Sequence, residues 1–165
     1  MKRMVQRAVA VVAAITMLSA LGACGGGQPA NGSDEDAINV VASVNQWGTV
    51  AKALGGGNVN VTSIINSTNV EAHDYEPTTA DIAKLQKAQV IVVNGADYDS
   101  WAVKAAKSTK ANIVNAAEVS GKKSGDNPHV WFSAQVREDT AKAITAAYKK
   151  AVPSKADDFD KLYEQ

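Results

Sequence analysis

The run Val90-Ile91-Val92-Val93 constrains this chain more than any other stretch. A short, unbroken apolar segment has no solvent-facing side, so it reads as a strand covered on both faces, as in a parallel sheet. Strand and helix patterns alternate around it. Residues 38–44 and 59–65 are rich in valine and isoleucine, and residues 111–114 make a fourth, shorter strand. Between the first two, Val50, Ala51 and Leu54 recur at helical spacing until Gly55-Gly56-Gly57 ends the pattern. Thr78 followed by Asp81 is a capping box, with Ile82 and Leu85 on one helical face behind it. Residues 98–107 read as a helix. Residues 133–152 form a long one, with Val136, Thr140, Ile144, Ala147 and Ala151 along one stripe. Four strands separated by helices predict an α/β lobe built on a parallel four-stranded sheet flanked by helices.

The first residues belong to a different regime. Lys2, Arg3 and Arg7 precede an apolar run from Val9 to Leu21, which is too short for a stable membrane span. A basic start, a short apolar stretch and small residues describe a secretory signal over residues 1–23. Leu21-Gly22-Ala23-Cys24 resembles the bacterial lipobox, which implies that Cys24 is lipidated and anchors an otherwise water-exposed domain to the membrane. Residues 24–37, rich in glycine and polar groups, read as a flexible tether. Folded sequence is expected over 38–153.

Composition removes several classes of function. Seventeen basic and seventeen acidic residues leave no net charge, without the positive footprint of a nucleic-acid binder. One cysteine and two histidines cannot close a four-ligand Cys/His zinc site, and no internal disulfide is possible. Serine-hydrolase, zincin, nucleotide-loop and dinucleotide fingerprints are all missing from the sequence.

The two histidines carry what chemistry there is. His73 lies in Glu71-Ala72-His73-Asp74-Tyr75-Glu76-Pro77-Thr78, between the second strand and the capped helix. His129 lies in Asn127-Pro128-His129-Val130-Trp131-Phe132, before the long helix. Both occupy connections where an α/β sheet presents ligand groups. Neutral imidazole is the commonest metal ligand, and its second nitrogen usually donates to a carboxylate or carbonyl. Glu71, Asp74 and Glu76 are candidates for that supporting role, or are solvated surface charges. Trp131 and Phe132 are expected to pack their loop against the lobe.

Residues 73–78 (HDYEPT), 80–95 (ADIAKLQKAQVIVVNG) and 127–132 (NPHVWF) resemble the metal-specific solute-binding proteins of bacterial ABC importers for zinc, manganese and related ions. The likeness covers most of residues 38–152. It implies the N-terminal lobe of a two-lobe protein, with His73 and His129 as metal ligands and a third ligand and a carboxylate supplied by a C-terminal lobe. It implies capture of Zn2+ or Mn2+ outside the cell and delivery to an ABC transporter permease, with no enzymatic activity. Ala72 and Asn127 depart from the proline and aspartate of the family pattern. Residues 154–165 are expected to begin the connecting helix of an incomplete chain, ending before that helix can bury a face. Residues 120–126 (SGKKSGD) lack the histidines of many zinc-specific members, so the metal stays open. Two other classes compete with transport. One is an exported metallohydrolase using the same histidines; the other is an adhesin-like structural lipoprotein in which they are incidental.

Overall fold

The computed structural model describes residues 37–165. The expected signal sequence over 1–23, the expected lipidation site Cys24 and the expected tether up to residue 36 lie outside the described residues. Strands β1 (Ile38–Val44), β2 (Val59–Ile65), β3 (Val90–Val93) and β4 (Asn112–Asn115) form one sheet in the order β2-β1-β3-β4. Every pairing is parallel: Ile38 faces Val59, Val40 faces Val90, and Val90 faces Asn112. The continuous apolar runs hold the interior. All four residues of β3 are buried and six of seven in β1, whereas the edge strands β2 and β4 are buried in part.

Side chains alternate across the sheet, as a pleated strand requires. Ile38, Val40, Ala42, Val90 and Val92 point to one layer, and Val41, Ile91 and Val93 to the other. Helix α1 (Asn45–Gly55) covers the first face with Trp47, Ala51 and Leu54, and stops at Gly56, whose φ of 54° suits glycine. Helices α2 (Thr79–Lys87) and α3 (Ser100–Ala106) cover the second face with Leu85, Ala102 and Ala106. The chain therefore leaves neighbouring β1 and β3 toward opposite faces. That divergence opens a crevice at their carboxyl ends, the place where open α/β sheets receive ligands.

A short helix, α4 (Ala116–Val119), follows β4, and α5 (Ala134–Ala151) returns to the first face. Ser133 caps α5, its hydroxyl accepting the Val136 N–H at 3.4 Å. The expected stripe is buried at Val136, Thr140, Ile144 and Ala147, and Tyr148 joins it, donating its hydroxyl to the Ala51 carbonyl at 2.9 Å. Burial raises the Tyr148 phenol above its ordinary pKa.

The last helix differs from the sequence reading. Pro153 begins a 3-10 turn (Pro153–Lys155), and α6 starts only after it, over Ala156–Tyr163, without a side-chain cap. Instead of being unable to bury a face, α6 packs on α5: Phe159 is fully buried, its ring centroid 5.3 Å from that of Tyr148. Burying a phenylalanine is worth about 2–3 kcal/mol. Lys149 and Asp160 close the same contact at 2.6 Å. Among the described residues no helix is long and apolar enough to cross a membrane.

Candidate metal site

Three loops at the carboxyl ends of the strands converge on one tyrosine. The first, after β2, carries His73. Its geometry is held from α2: the Asp81 carboxylate accepts the Thr78 N–H at 3.0 Å, the Thr78 hydroxyl at 2.6 Å and the Tyr75 hydroxyl at 2.8 Å. Thr78 in turn accepts the Asp81 N–H at 3.2 Å, so the expected capping box is present. Burial pushes the Asp81 pKa up, but donors from Thr78, Tyr75 and Lys84 outweigh it and hold the group well below the usual carboxylate range. Tyr75 also packs against Trp101, with ring centroids 5.0 Å apart. Ala72, in the place of the family's proline, is buried in the core. A loop two residues from His73 is thus bolted to a capped helix.

The second loop follows β3 and turns on buried Asn94. Its amide oxygen accepts the Trp47 indole N–H at 2.9 Å, and its nitrogen donates to the carbonyls of Gly95 at 3.0 Å and Pro128 at 2.9 Å. The Asp99 carboxylate receives the N–H groups of Asn94 at 2.7 Å and Gly95 at 2.8 Å. Burial raises the Asp99 pKa, against the pull of the hydrogen bonds it accepts. Gly95, Ala96 and Asp97 all have positive φ, at 77°, 48° and 65°. A Cβ on Gly95 would lie 2.0 Å from Asn115 Oδ1, so no other residue fits there without displacement. This tight left-handed turn ends at Tyr98.

The third loop carries His129, and Asn94 ties its Pro128 carbonyl to the end of β3. Asn127 Oδ1 accepts the His129 backbone N–H at 3.0 Å and lies 3.1 Å from His129 Nδ1. The tautomer that satisfies this contact carries its proton on Nδ1 and leaves the Nε2 lone pair free.

Both imidazoles then meet the Tyr98 ring. The His73 ring packs edge-on to it, with centroids 4.8 Å apart, and the His129 ring lies tilted to it at 5.8 Å, so the two imidazoles are no further apart than those separations combined. Trp131 completes the cluster, 5.0 Å from Tyr98 and 5.3 Å from His129. Burial and the nearby charges of Glu71 and Asp99 raise the Tyr98 phenol. Both histidines are exposed, and their outer sides face water.

The carboxylates divide differently from expectation. Glu71 accepts the His73 backbone N–H at 3.4 Å and does not bond the ring. Asp74 and Glu76 are exposed and make no hydrogen bond to either imidazole among the described residues. The partner that sequence reasoning passed over is Asn127, two residues before its histidine, where an Asx turn is the local signal. Asp97 is a further carboxylate near His73. The Ser124 hydroxyl and the Gly125 N–H hold it below its ordinary pKa, with a smaller contribution from His73. Trp131 packs inward as expected, but Phe132 is 77% exposed: Arg137 grips the carbonyls of both residues at 2.8 and 3.1 Å, turning the Phe132 ring outward. Among the described residues no group of three or more His, Cys, Asp or Glu could hold a metal ion. What is assembled is a pair of imidazoles packed on one tyrosine ring.

The family model described as "Zinc-uptake complex component A periplasmic" matches residues 40–165. The high-affinity zinc uptake system protein ZnuA of Bacillus subtilis is 30% identical, over 93% of this chain and 59% of its own length. The manganese-binding lipoprotein MntA of the same species is 29% identical, over 86% of this chain and 49% of its own. Among solved structures, the metal-dependent lipoprotein YcdH of Bacillus subtilis superposes with a TM-score of 0.66 at 30% identity, covering 77% of this chain and 49% of that one. The chain thus spans about half the length of the relatives it matches.

Proposed function

This chain belongs to the zinc-uptake complex component A family, and from that premise we propose that it captures a divalent transition metal ion outside the cytoplasm for delivery to an ABC permease. The observation that carries the reading is the meeting of His73 and His129, from separate loops, on the single ring of Tyr98. Two imidazole nitrogens held by a rigid sheet end supply half of a tetrahedral shell. The remaining ligands would come from a second lobe, which fits a chain spanning about half of its relatives' length. Residues 38–153 would be the metal-binding lobe, with residues 154–165 leading into the connection between lobes.

The ion is cargo, so no bond within a substrate is made or broken, and the protein acts as a carrier rather than an enzyme. Imidazole suits zinc, and added carboxylate ligands suit manganese. Relatives named for each metal leave both Zn2+ and Mn2+ as candidates. Asn127, by accepting from Nδ1, directs Nε2 of His129 toward the ion and fixes the ring before metal arrives. Lipidation of Cys24 would keep the lobe close to the membrane permease.

Metal-dependent thermal stabilisation tests this. A ligand present at about one hundred times its dissociation constant stabilises a fold by about 2.7 kcal/mol. Zn2+ or Mn2+ should raise the melting temperature of the wild type, and His73→Ala and His129→Ala should each abolish most of the rise. Stabilisation of both variants by as much as the wild type would refute histidine ligation. A hydrolysis screen with added zinc distinguishes the carrier from a metallohydrolase.

A further inference from the structure

The stretch 120–126 lacks histidine but carries Lys122 and Lys123, and the fold gives it a use of its own. Together with α3 and the Gly95–Asp97 turn it lines a cavity of about 370 Å3 that includes neither imidazole. Lys104 and Lys107 line it from α3 and Lys122 and Lys123 from the opposing loop, and Ser100 and Ser124 also belong to the lining. None of these four side-chain ammonium groups makes an ion pair or donates a hydrogen bond to any described residue, although those of Lys84, Lys149 and Lys161 all find carboxylates elsewhere. Only Asp97 and Glu118 are acidic in the lining, and Asp97 is already occupied by Ser124 and Gly125 at 2.6 and 2.9 Å.

Four lysines that line one small cavity bring like charges together, with Lys104 and Lys107 one helical turn apart. In a chain without net charge, nothing in the bulk composition explains that concentration. Each ammonium is a compact, three-donor point charge, the chemistry that meets phosphate and carboxylate oxygens. The backbone N–H groups of Ala96 and Asp97, which donate to no described acceptor, belong to the same wall and add partial positive charge. The volume matches a small molecule rather than an extended polymer.

We propose that this cavity binds a small polyvalent oxyanion, of the size and charge of diphosphate or a tricarboxylate. The ammonium groups of Lys104, Lys107, Lys122 and Lys123 neutralise the charge, and the turn closes one side. The site does not depend on the histidines.

Calorimetry on the metal-free full-length chain at low ionic strength tests this, with inorganic diphosphate and citrate as separate probes. Saturable binding of either probe is expected, about tenfold or more weaker in the Lys104→Gln/Lys122→Gln double variant and unchanged in His73→Ala. The heat should be accompanied by amide shifts confined to residues 95–97 and 100–126. Diphosphate alone, or citrate alone, would identify which oxyanion chemistry is preferred and would support the site. No saturable binding of either probe at millimolar concentration would overturn it. Equal affinity in the double variant, or full competition by chloride, would overturn it too.

Discussion

Asn94 is the joint on which the site turns, and removing its amide separates structural support from ligation. In Asn94→Ala the Trp47 indole N–H loses its acceptor inside a fully buried environment that water does not reach. A stranded buried donor costs about 1–3 kcal/mol. The Pro128 carbonyl loses the Asn94 donor but keeps the Val130 N–H at 2.8 Å, and its half-buried residue can be rehydrated, which limits that loss to about 1 kcal/mol. The small void adds to both, for a total of about 2–4 kcal/mol, a large share of the 5–15 kcal/mol typical of a domain. Urea unfolding without metal should show this as a lower midpoint at unchanged slope. Trp47→Phe removes the donor instead. The double variant should then cost less than the two singles combined, because both report one hydrogen bond. Metal affinity should fall by about tenfold in Asn94→Ala, since the loop bearing His129 is no longer tied to β3. A stability loss under about 0.5 kcal/mol with unaltered affinity would refute the idea that this amide couples core to site.

Other consequences are equally specific. The folded Asp81 pKa is lowered, so its stabilisation is full above the ordinary carboxylate value of about 4 and is lost as pH falls toward the depressed one. Asp81→Asn should accordingly cost about 1–2 kcal/mol at neutral pH, and the gap to wild type should close in acid; a gap constant from pH 7 down through the acid range would contradict the assignment. Gly95→Ala should destabilise by about 2–4 kcal/mol in chemical unfolding, because the new Cβ strikes the Asn115 oxygen that caps α4 while the backbone stays left-handed. Asn127→Ala should weaken metal binding by about ten- to one hundredfold in competition titrations while leaving the metal-free melting temperature nearly unchanged.

What could be read from the chain divides by distance along it. The Val90–Val93 strand and the Thr78–Asp81 box depend on neighbours within a few residues, and each is where local pattern puts it. The parallel sheet follows from such pieces in alternation. The histidines stood out because the chain has only two, but nothing in their flanks points to Tyr98 as the ring they share. Trp47, Asn94 and Pro128 meet only after β1 and β3 pair, so that hydrogen-bonded chain has no local signature. The burial of the last helix could not be read locally because the partners of Phe159, Tyr148 and the face of α1, lie on other helices. Phe132 failed for the opposite reason: Arg137 fixes its carbonyl, and apolar character alone does not say which way the ring then points.

The central claim is direct coordination of one ion by two imidazoles of this lobe. Zinc-edge X-ray absorption on the zinc-loaded chain should show two histidine scatterers at about 2.0–2.1 Å, falling to one in His73→Ala and in His129→Ala. A spectrum without imidazole scattering, or one that neither substitution changes, would contradict it.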